Sequence, residues 1–441
     1  MKNIQRIIVL IFTISIVSCN STITPKVKID KSEITKYESV FNDLQTYLSK
    51  EDGKLWNHQI YGPLLFVNTN NRIVIANESD NKDILMKSGG LYVGTLPDEI
   101  NIANTAFEWN GKRWTMIVLP MPKDYNEKLN LLTHELFHRI QPEIGFVDLY
   151  QKSCDHLDKK EGRIYLKLEL EALKKALTTN DENQRKEYIK NALLFREFRY
   201  QIFLDAKESE NLLELNEGMA EYTGTILSNR TNEDLKAHYI QAIENLYRNP
   251  TFVRSFAYRT IPVYGYFMKQ KDQTWNLKIS EKTNLIDFII DFFNISIPVN
   301  IKDSVLRIRN DYNYAQINAY ETKREERQKE IIVKFDKKFQ ESPILVIPLQ
   351  NMNISFNPSN LIPYRNLGTV YPNLRITDNW GILSVEKEAL VGKNWGKVIV
   401  SEPIKNSEEI IEGNGWKLEL NNSWEMIRIK DNYTLKKKYA P

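Results

Sequence analysis

Two histidines four residues apart, inside an apolar helical stripe, place the strongest constraint on how this chain can fold. Residues 129–141 read LNLLTHELFHRIQ, and their apolar positions recur at helical spacing: Leu129, Leu132, Leu136 and Ile140. His134 and His138 then lie one turn apart on one face of a buried helix. Buried imidazoles need partners, and one metal ion about 2 Å from each nitrogen satisfies both. The alternative, a surface helix with two solvated histidines, is disfavoured by the stripe.

The residue between the histidines strengthens the metal hypothesis. Glu135 completes the pattern HExxH, in which a helix supplies two zinc ligands and the carboxylate can take a proton from an attacking water. The helix is predicted to begin after Asp124 as N-cap, with Glu127 at the third helical position, and to end before Pro142. Both candidate ligands are therefore expected in mid-helix, where the backbone is stiff.

The overall composition excludes one class of partner. The chain has 441 residues, 42% of them hydrophobic and 27% charged, with a formal net charge of +3. This composition is typical of a globular protein with two or three structural units. Because the net charge is small and no long basic block occurs, nucleic acid is not expected as a partner.

The amino terminus predicts export. Lys2 and Arg6 precede an apolar run over residues 7–17, which is shorter than the ~20 residues that span a bilayer but suits a signal-peptide core. The run ends in IVSC, which resembles the lipobox of bacterial lipoproteins, with Cys19 as the lipidated first residue of the mature chain. An ordinary cleaved signal peptide and an uncleaved anchor remain as alternatives.

These features predict a signal peptide over residues 1–18 and a lipid-proximal tether over residues 19–36. The resemblance implies a bacterial cell-envelope protein, on the periplasmic or surface side, that is anchored to the membrane through the lipid on Cys19. Since the chain has two cysteines, Cys154 would lack an intramolecular disulfide partner and is expected to be a structural thiol.

The remaining chain predicts an α+β fold in three parts. Residues 37–123 combine one helix at 35–50 with strands, and Asn110-Gly111 between the last two is typical of a type I′ hairpin. Residues 124–340 are predicted to be helical, with helices at 124–141, 159–178, 183–206, 209–228, 232–247, 258–270, 284–293 and 315–340. Residues 341–441 are expected to form a small C-terminal β module.

A catalytic zinc site needs a third protein ligand. No histidine follows at the spacing HExxHxxGxxH, so the candidates are carboxylates on a later helix. Residues 214–224 read ELNEGMAEYTG, and together with HExxH this segment resembles the gluzincin metallopeptidases, most closely the bacterial peptidase MA-like domains. The resemblance implies a zincin-like catalytic domain over residues 37–340 with Glu217 as third ligand. Glu221, one turn further on the same face, could orient one histidine.

The spacing departs from the familiar pattern. From His138 to Glu217 there are 79 residues, so the helices between them would be an insertion, which is permissible because loop-closure cost grows slowly with length. Glu169 and Glu171 are nearer competitors. They lie in LKLELEALKKAL, where alternating charges are more typical of a solvated helix face.

The resemblance implies a zinc-dependent peptidase acting on a peptide or protein substrate, with Glu135 as general base. Enzymes of this group often place an oxyanion-stabilising tyrosine downstream, and SFAYRTIPVYGYF offers Tyr258, Tyr264 and Tyr266. Tyr264 is the candidate we carry forward, with core packing as its alternative role. His156 is a second candidate for substrate binding or support of the site.

Two other functions compete with the peptidase. The first is a lipid-anchored envelope protein that binds a ligand, with a structural or vestigial metal site closed by a fourth ligand such as His156. The second keeps metal-dependent hydrolysis but cleaves an amide in cell-wall material. For the peptidase, the hairpin at residues 103–119 is a candidate edge on which an extended peptide could add as a strand.

Overall fold

The computed structural model describes residues 29–97, 100–147, 149, 152–357 and 360–438, and these form an α+β fold. It contains a mixed sheet, about ten helices and a C-terminal sheet region. The predicted signal peptide, Cys19 and the first part of the tether lie outside the described residues. No helix in the described part of the chain combines the length and apolar character that a bilayer span requires.

The first compact unit contains residues up to 47 together with residues 61–121. Its helix α1, Lys31–Glu51, begins four residues before the predicted start, so residues 31–36 are helical rather than part of a tether. The earlier start follows from burial of Ile34, which continues the helical spacing of Tyr37 and Phe41. Phe41 stacks on Phe66 of the sheet with ring centroids 4.4 Å apart.

The sheet of this unit is mixed, in agreement with the antiparallel or mixed sheet that the α+β prediction allows. Its strands are β1 Leu64–Asn68, β2 Ile73–Ala76, β3 Met86–Ser88, β4 Leu91–Thr95, β5 Thr105–Trp109 and β6 Lys112–Leu119. They are ordered β3-β4-β2-β1-β6-β5, and β1 and β6 are parallel while the other neighbours are antiparallel. Positive φ angles of 50° at Asn110 and 78° at Gly111 confirm the predicted hairpin turn. The predicted hairpin thus contributes β5 as an edge strand.

The second unit contains residues 48–60 and everything from residue 122 onward. Its α-helices are α2 Tyr125–Ile140, α3 Lys160–Thr178, α4 Glu182–Ile202, α5 Ala206–Leu213, α6 Met219–Ile226, α7 Asn232–Leu246, α8 Ala257–Lys271, α9 Leu285–Phe292, α10 Ile301–Ile308 and α11 Tyr314–Phe339. All predicted helices are present, and α10 was not predicted. The helix predicted over 209–228 is α5 and α6 joined by a π-helical turn, Glu214–Gly218. α2 packs against α6, and α8 packs against both α6 and this π turn.

The C-terminal region has β structure over the residues expected for the C-terminal β module, with thirteen strands among its described residues. Its strands are β7 Ile344–Pro348, β8 Asn353–Phe356, β9 Ile362–Tyr364, β10 Gly368–Tyr371, β11 Leu374–Asp378, β12 Gly381–Val385, β13 Ala389–Gly392, β14 Lys397–Ser401, β15 Pro403–Asn406, β16 Ile410–Gly413, β17 Trp416–Leu420, β18 Trp424–Ile429 and β19 Asn432–Lys437. They form a seven-stranded and a six-stranded sheet that share one apolar core. Phe335 and Phe339 of α11 pack on the other face of the seven-stranded sheet.

Candidate metal centre

The candidate metal centre is built on α2. The side chain of Asp124 accepts a hydrogen bond from the backbone N–H of Glu127, which confirms the predicted N-cap. The predicted apolar stripe is almost completely buried: Leu129, Leu132, Leu136 and Ile140. Burial of this stripe fixes the rotation of the helix about its axis. His134 and His138 are therefore presented from a rigid backbone towards α6 and the π turn.

Three side-chain atoms meet in a small triangle. Nε2 of His134 and Nε2 of His138 are 3.2 Å apart. Oε2 of Glu217 lies 3.7 Å from the first nitrogen and 3.5 Å from the second. Ligands bonded at 2.0–2.1 Å to a tetrahedral zinc ion are separated by about 3.3 Å, so one ion fits among these atoms with small adjustments. Within the described residues, these three side chains form the cluster that could hold a metal ion.

The neighbours of both imidazoles determine which nitrogens face the ion position. His134 Nδ1 lies 2.9 Å from Oε2 of Glu221, and His138 Nδ1 lies 2.7 Å from Oε1 of Gln141. The amide nitrogen of Gln141 donates to the carbonyl of Asn216 at 3.1 Å, so its oxygen accepts from His138. Each Nδ1 therefore carries a proton, which leaves the two Nε2 lone pairs facing each other. A positive charge, either a proton or a metal ion, is needed between them.

Glu221 has the supporting position that the sequence suggested for it. Asn130 Nδ2 lies 3.4 Å from Oε1 of Glu221, and Arg259 lies 3.7 Å from the same oxygen. The absence of a side chain at Gly224 allows α6 to approach α2 here. A Cβ at this position would lie 2.8 Å from the carbonyl oxygen of Asn130 and 3.2 Å from Cβ of His134. The approach of the two helices thus depends on a glycine in the turn after Glu221.

The π turn directs the side chain of Glu217 towards the two imidazoles. In this turn the N–H of Met219 bonds to the carbonyl of Glu214, one residue further back than in an α-helix. The Glu214 carboxylate is anchored by two hydrogen bonds from Arg196, at 2.7 and 2.8 Å, and by one from Thr260. Glu214 therefore points into the protein interior while Glu217, three residues later, reaches the imidazoles.

The electrostatics of the site favour a cation. Burial lowers the pKa of His134, but hydrogen bonds to Glu217 and Glu221 and the charges of Glu221 and Glu135 outweigh burial and raise the pKa to about 10. Burial raises the pKa of Glu217, but its contacts with the two histidines bring it well below the usual range. The same surroundings that retain a proton on His134 would stabilise a metal ion in that place.

Glu135 has the environment of a proton acceptor. It is 7% exposed, and burial raises its pKa while the neighbouring histidines lower it by a smaller amount. Within the described residues, no hydrogen bond occupies its carboxylate. A carboxylate with a raised pKa accepts a proton more readily near neutral pH than an exposed one.

Two further residues contact the cluster: Tyr258 in the first turn of α8, and Arg254 in the segment just before this helix. The ring of Tyr258 stacks on the imidazole of His134, with centroids 5.5 Å apart and planes at 7°, and its hydroxyl donates to Oε2 of Glu217. Burial and the charge of Glu217 raise the pKa of Tyr258, so the hydroxyl stays protonated. Arg254 donates to the other oxygen of Glu217, Oε1, at 3.2 Å.

The structure places the other two catalytic candidates elsewhere. Tyr264 is fully buried, and its hydroxyl donates to Glu169 at 3.1 Å. The tyrosine that contacts the cluster is instead Tyr258, and the structure does not bring Tyr264 close to the three candidate ligands. His156 is also buried, with Nε2 2.7 Å from Glu210, and it does not join the metal cluster as a fourth ligand.

Glu169, the competing ligand, belongs to a buried ionic network. We define this network as Glu169, Glu210, Glu214, Arg196 and Arg199, whose side chains are fully inaccessible to solvent. The expectation of a solvated face at Glu169 was therefore wrong. The other competitor, Glu171, receives hydrogen bonds from Lys174 and Tyr247. Beside the network, burial raises the pKa of the Cys154 thiol to about 12, in keeping with a structural role.

Sequence reasoning missed Gln141 and Arg254. Gln141 carried a usable signal, because a polar residue three positions after His138 lies on the same helical face. Arg254 carried none, since it lies 37 residues beyond Glu217. Comparison of the chain with protein-family models, with curated proteins and with solved structures finds no match.

Proposed function

We propose that this protein is a zinc-dependent hydrolase of the gluzincin type, and that it cleaves peptide bonds. The observation that carries the proposal is the triangle of His134 Nε2, His138 Nε2 and Glu217 Oε2, with edges of 3.2 to 3.7 Å. Two imidazole nitrogens and one carboxylate oxygen are a donor set that suits zinc, and three protein ligands leave a tetrahedral ion one open position. The cluster has no fourth protein ligand among the described residues, which favours a catalytic over a structural site.

The residues of the chain can perform the proton transfers that hydrolysis requires. A bound zinc ion would supply Lewis-acid chemistry, polarising a carbonyl and lowering the pKa of water. Glu135, buried next to both histidines, takes the proton from the attacking water and returns it to the leaving amine. The protonated hydroxyl of Tyr258, which donates to Glu217, would donate to negative charge that develops at the carbonyl oxygen of a substrate.

The proposal extends to location. The apolar run at residues 7–17 and the IVSC segment support export and lipidation of Cys19. The protein would then act at the bacterial cell envelope, tethered to a membrane by its amino terminus. Metabolic labelling with a radiolabelled or alkyne fatty acid tests this part, because Cys19→Ala should remove the label and release the protein from membranes.

The central experiment measures zinc and turnover together. We expect about one zinc per chain, cleavage within a peptide library, and loss of cleavage on chelation that returned zinc restores. Glu135→Gln should keep the zinc and lose at least 100-fold in kcat, because the proton acceptor is removed while the ligands remain.

A matched control uses the same substitution at an exposed site. Glu187 lies on the exposed side of α4, so Glu187→Gln should keep both the zinc and the parental kcat. A Glu135→Gln protein that cleaves as fast as the parent, or a folded parent that does not bind zinc, would refute the proposal.

A further inference from the structure

Arg254 occupies the solvent side of the metal ligand Glu217. Its terminal guanidinium nitrogen lies 3.2 Å from Oε1 of Glu217, while Oε2 of the same carboxylate faces the two imidazoles. The side chain of Arg254 is 64% exposed, compared with 10% for Glu217. A single carboxyl group thus separates an accessible guanidinium from the metal position.

The charged groups around the cluster are compatible with the binding of an anion. Three carboxylates contact or flank the imidazoles: Glu135, Glu217 and Glu221. Two guanidinium groups, of Arg254 and Arg259, contact these carboxylates. A divalent ion would add two positive charges beside these groups. Tyr258 lies in the first turn of α8, so the positive end of that helix dipole also faces the site.

We propose that Arg254 binds a carboxylate of the substrate, so that the preferred substrates carry a carboxylate next to the bond that is cleaved. A guanidinium group has five N–H donors in a planar fork that matches a carboxylate. The guanidinium lies 3.2 Å from Oε1 of the candidate ligand Glu217, and a residue of extended peptide spans about 3.3–3.6 Å, so a carboxylate bound by Arg254 would belong to a residue close to the cleaved bond. The carboxylate is either the carboxyl terminus of a peptide or an acidic side chain beside the scissile bond.

The substrate class in this inference rests on the proposed function. The inference itself is tested by measuring probe binding, which does not require turnover. The protein is zinc-loaded Glu135→Gln, which keeps the metal ligands, and the measurement is calorimetric titration. Three acetylated tripeptide probes are compared: Ala-Ala-Ala with a free carboxyl terminus, Ala-Ala-Ala amide, and Ala-Ala-Glu amide. The first and third each have one carboxylate, at the terminus or on the side chain, and the second has none.

We expect at least one carboxylate probe to bind at least tenfold more tightly than the neutral amide. Arg254→Gln on the same background should remove that preference, with a 10- to 100-fold loss for the carboxylate probe and no loss for the neutral one. Arg254→Lys should restore part of the preference, since it keeps the charge but loses the planar fork. Arg327→Gln, at an exposed position on α11, is the matched control. Whichever carboxylate probe binds more tightly identifies the source of the carboxylate.

A second measurement separates recognition from ligand support. The zinc affinity of Arg254→Gln, measured by chelator competition, gives the contribution of its hydrogen bond to Glu217, and the probe titrations are made with the variant saturated with zinc. If zinc affinity falls and the probes bind equally to parent and variant, Arg254 only positions Glu217, and the inference is overturned. Equal binding of all three probes to the parent, or binding of none, also overturns it. If Arg254-dependent carboxylate binding is found in a parent that cleaves no peptide, the proposed function fails while this inference stands.

Discussion

The side chain of Gln141 links His138, near the end of α2, to the backbone of the π turn. Its side-chain oxygen lies 2.7 Å from Nδ1 of His138, and its amide nitrogen donates to the carbonyl of Asn216, next to the ligand Glu217. One amide therefore contacts the candidate ligand His138 on α2 and the backbone next to the candidate ligand Glu217 on the π turn. The buried glutamine at the end of α2 thus contacts both segments that carry the candidate ligands.

Removing Gln141 should weaken metal binding without changing a ligand. In Gln141→Leu the imidazole of His138 loses the acceptor that fixes its tautomer, and we expect zinc affinity to fall about 10- to 100-fold. Chelator competition gives the affinity. Gln350→Leu, on the exposed surface of the C-terminal region, is the control. An unchanged zinc affinity in Gln141→Leu would show that the Gln141 contact has no influence on the ligand.

Gly224→Ala should move α6 away from α2. The new Cβ would lie 2.8 Å from the carbonyl oxygen of Asn130, which is backbone and cannot rotate away. We expect a loss of about 1–3 kcal/mol in the free energy of unfolding, together with weaker zinc binding, measured by urea unfolding and chelator competition. Gly396→Ala has only ordinary contacts at 3.4 Å or more and should change neither quantity. A stable Gly224→Ala protein with parental zinc affinity contradicts the packing argument.

Arg196→Met should be among the most damaging substitutions in the chain. Arg196 donates to Glu169 and to both oxygens of Glu214, and all three side chains are fully buried. Its removal leaves the buried carboxylate of Glu214 without its cation and Glu169 with Arg199 alone, which costs about 3–5 kcal/mol. Urea unfolding of the metal-free protein measures this. Lys190→Met, which breaks an exposed pair, should cost less than about 1 kcal/mol. Equal losses for the two variants would disprove a special role for the network.

Metal-free stability and zinc affinity should respond to pH in opposite directions. The raised pKa of His134, about 10 in the fold against about 6.5 in the unfolded chain, stabilises the metal-free protein below pH 6.5. That contribution is lost as the pH rises from 6.5 towards 10. Zinc competes with this proton, so over the same window its affinity should rise by up to tenfold per pH unit. Chelator competition and urea unfolding at pH 6.5, 7.5 and 8.5 test both trends. A zinc affinity that does not depend on pH would contradict the idea that the proton of His134 and the zinc ion compete for one site.

The sequence by itself determined the features that depend on neighbours along the chain. The cap at Asp124, the apolar stripe of α2 and the turn at Asn110-Gly111 follow from side chains a few residues apart, whose interactions do not wait for the rest of the fold. The pair His134 and His138 is likewise set by helical periodicity. Some of the short strands of the C-terminal region, among them β8, β13 and β16, were not predicted, and neither was α10, because such short segments depend on their packing partners.

Tertiary structure alone decided which distant groups meet these local elements. Tyr258 and Tyr264 lie on the same helix and look equivalent in sequence, yet one stacks on His134 and the other is buried against Glu169. The same holds for Glu214 and Glu217, which a π turn sends in different directions. Charge patterns along a helix do not show burial, because the desolvation of a carboxylate such as Glu169 is compensated by arginines 27 and 30 residues away. Pairing at that distance is an outcome of packing.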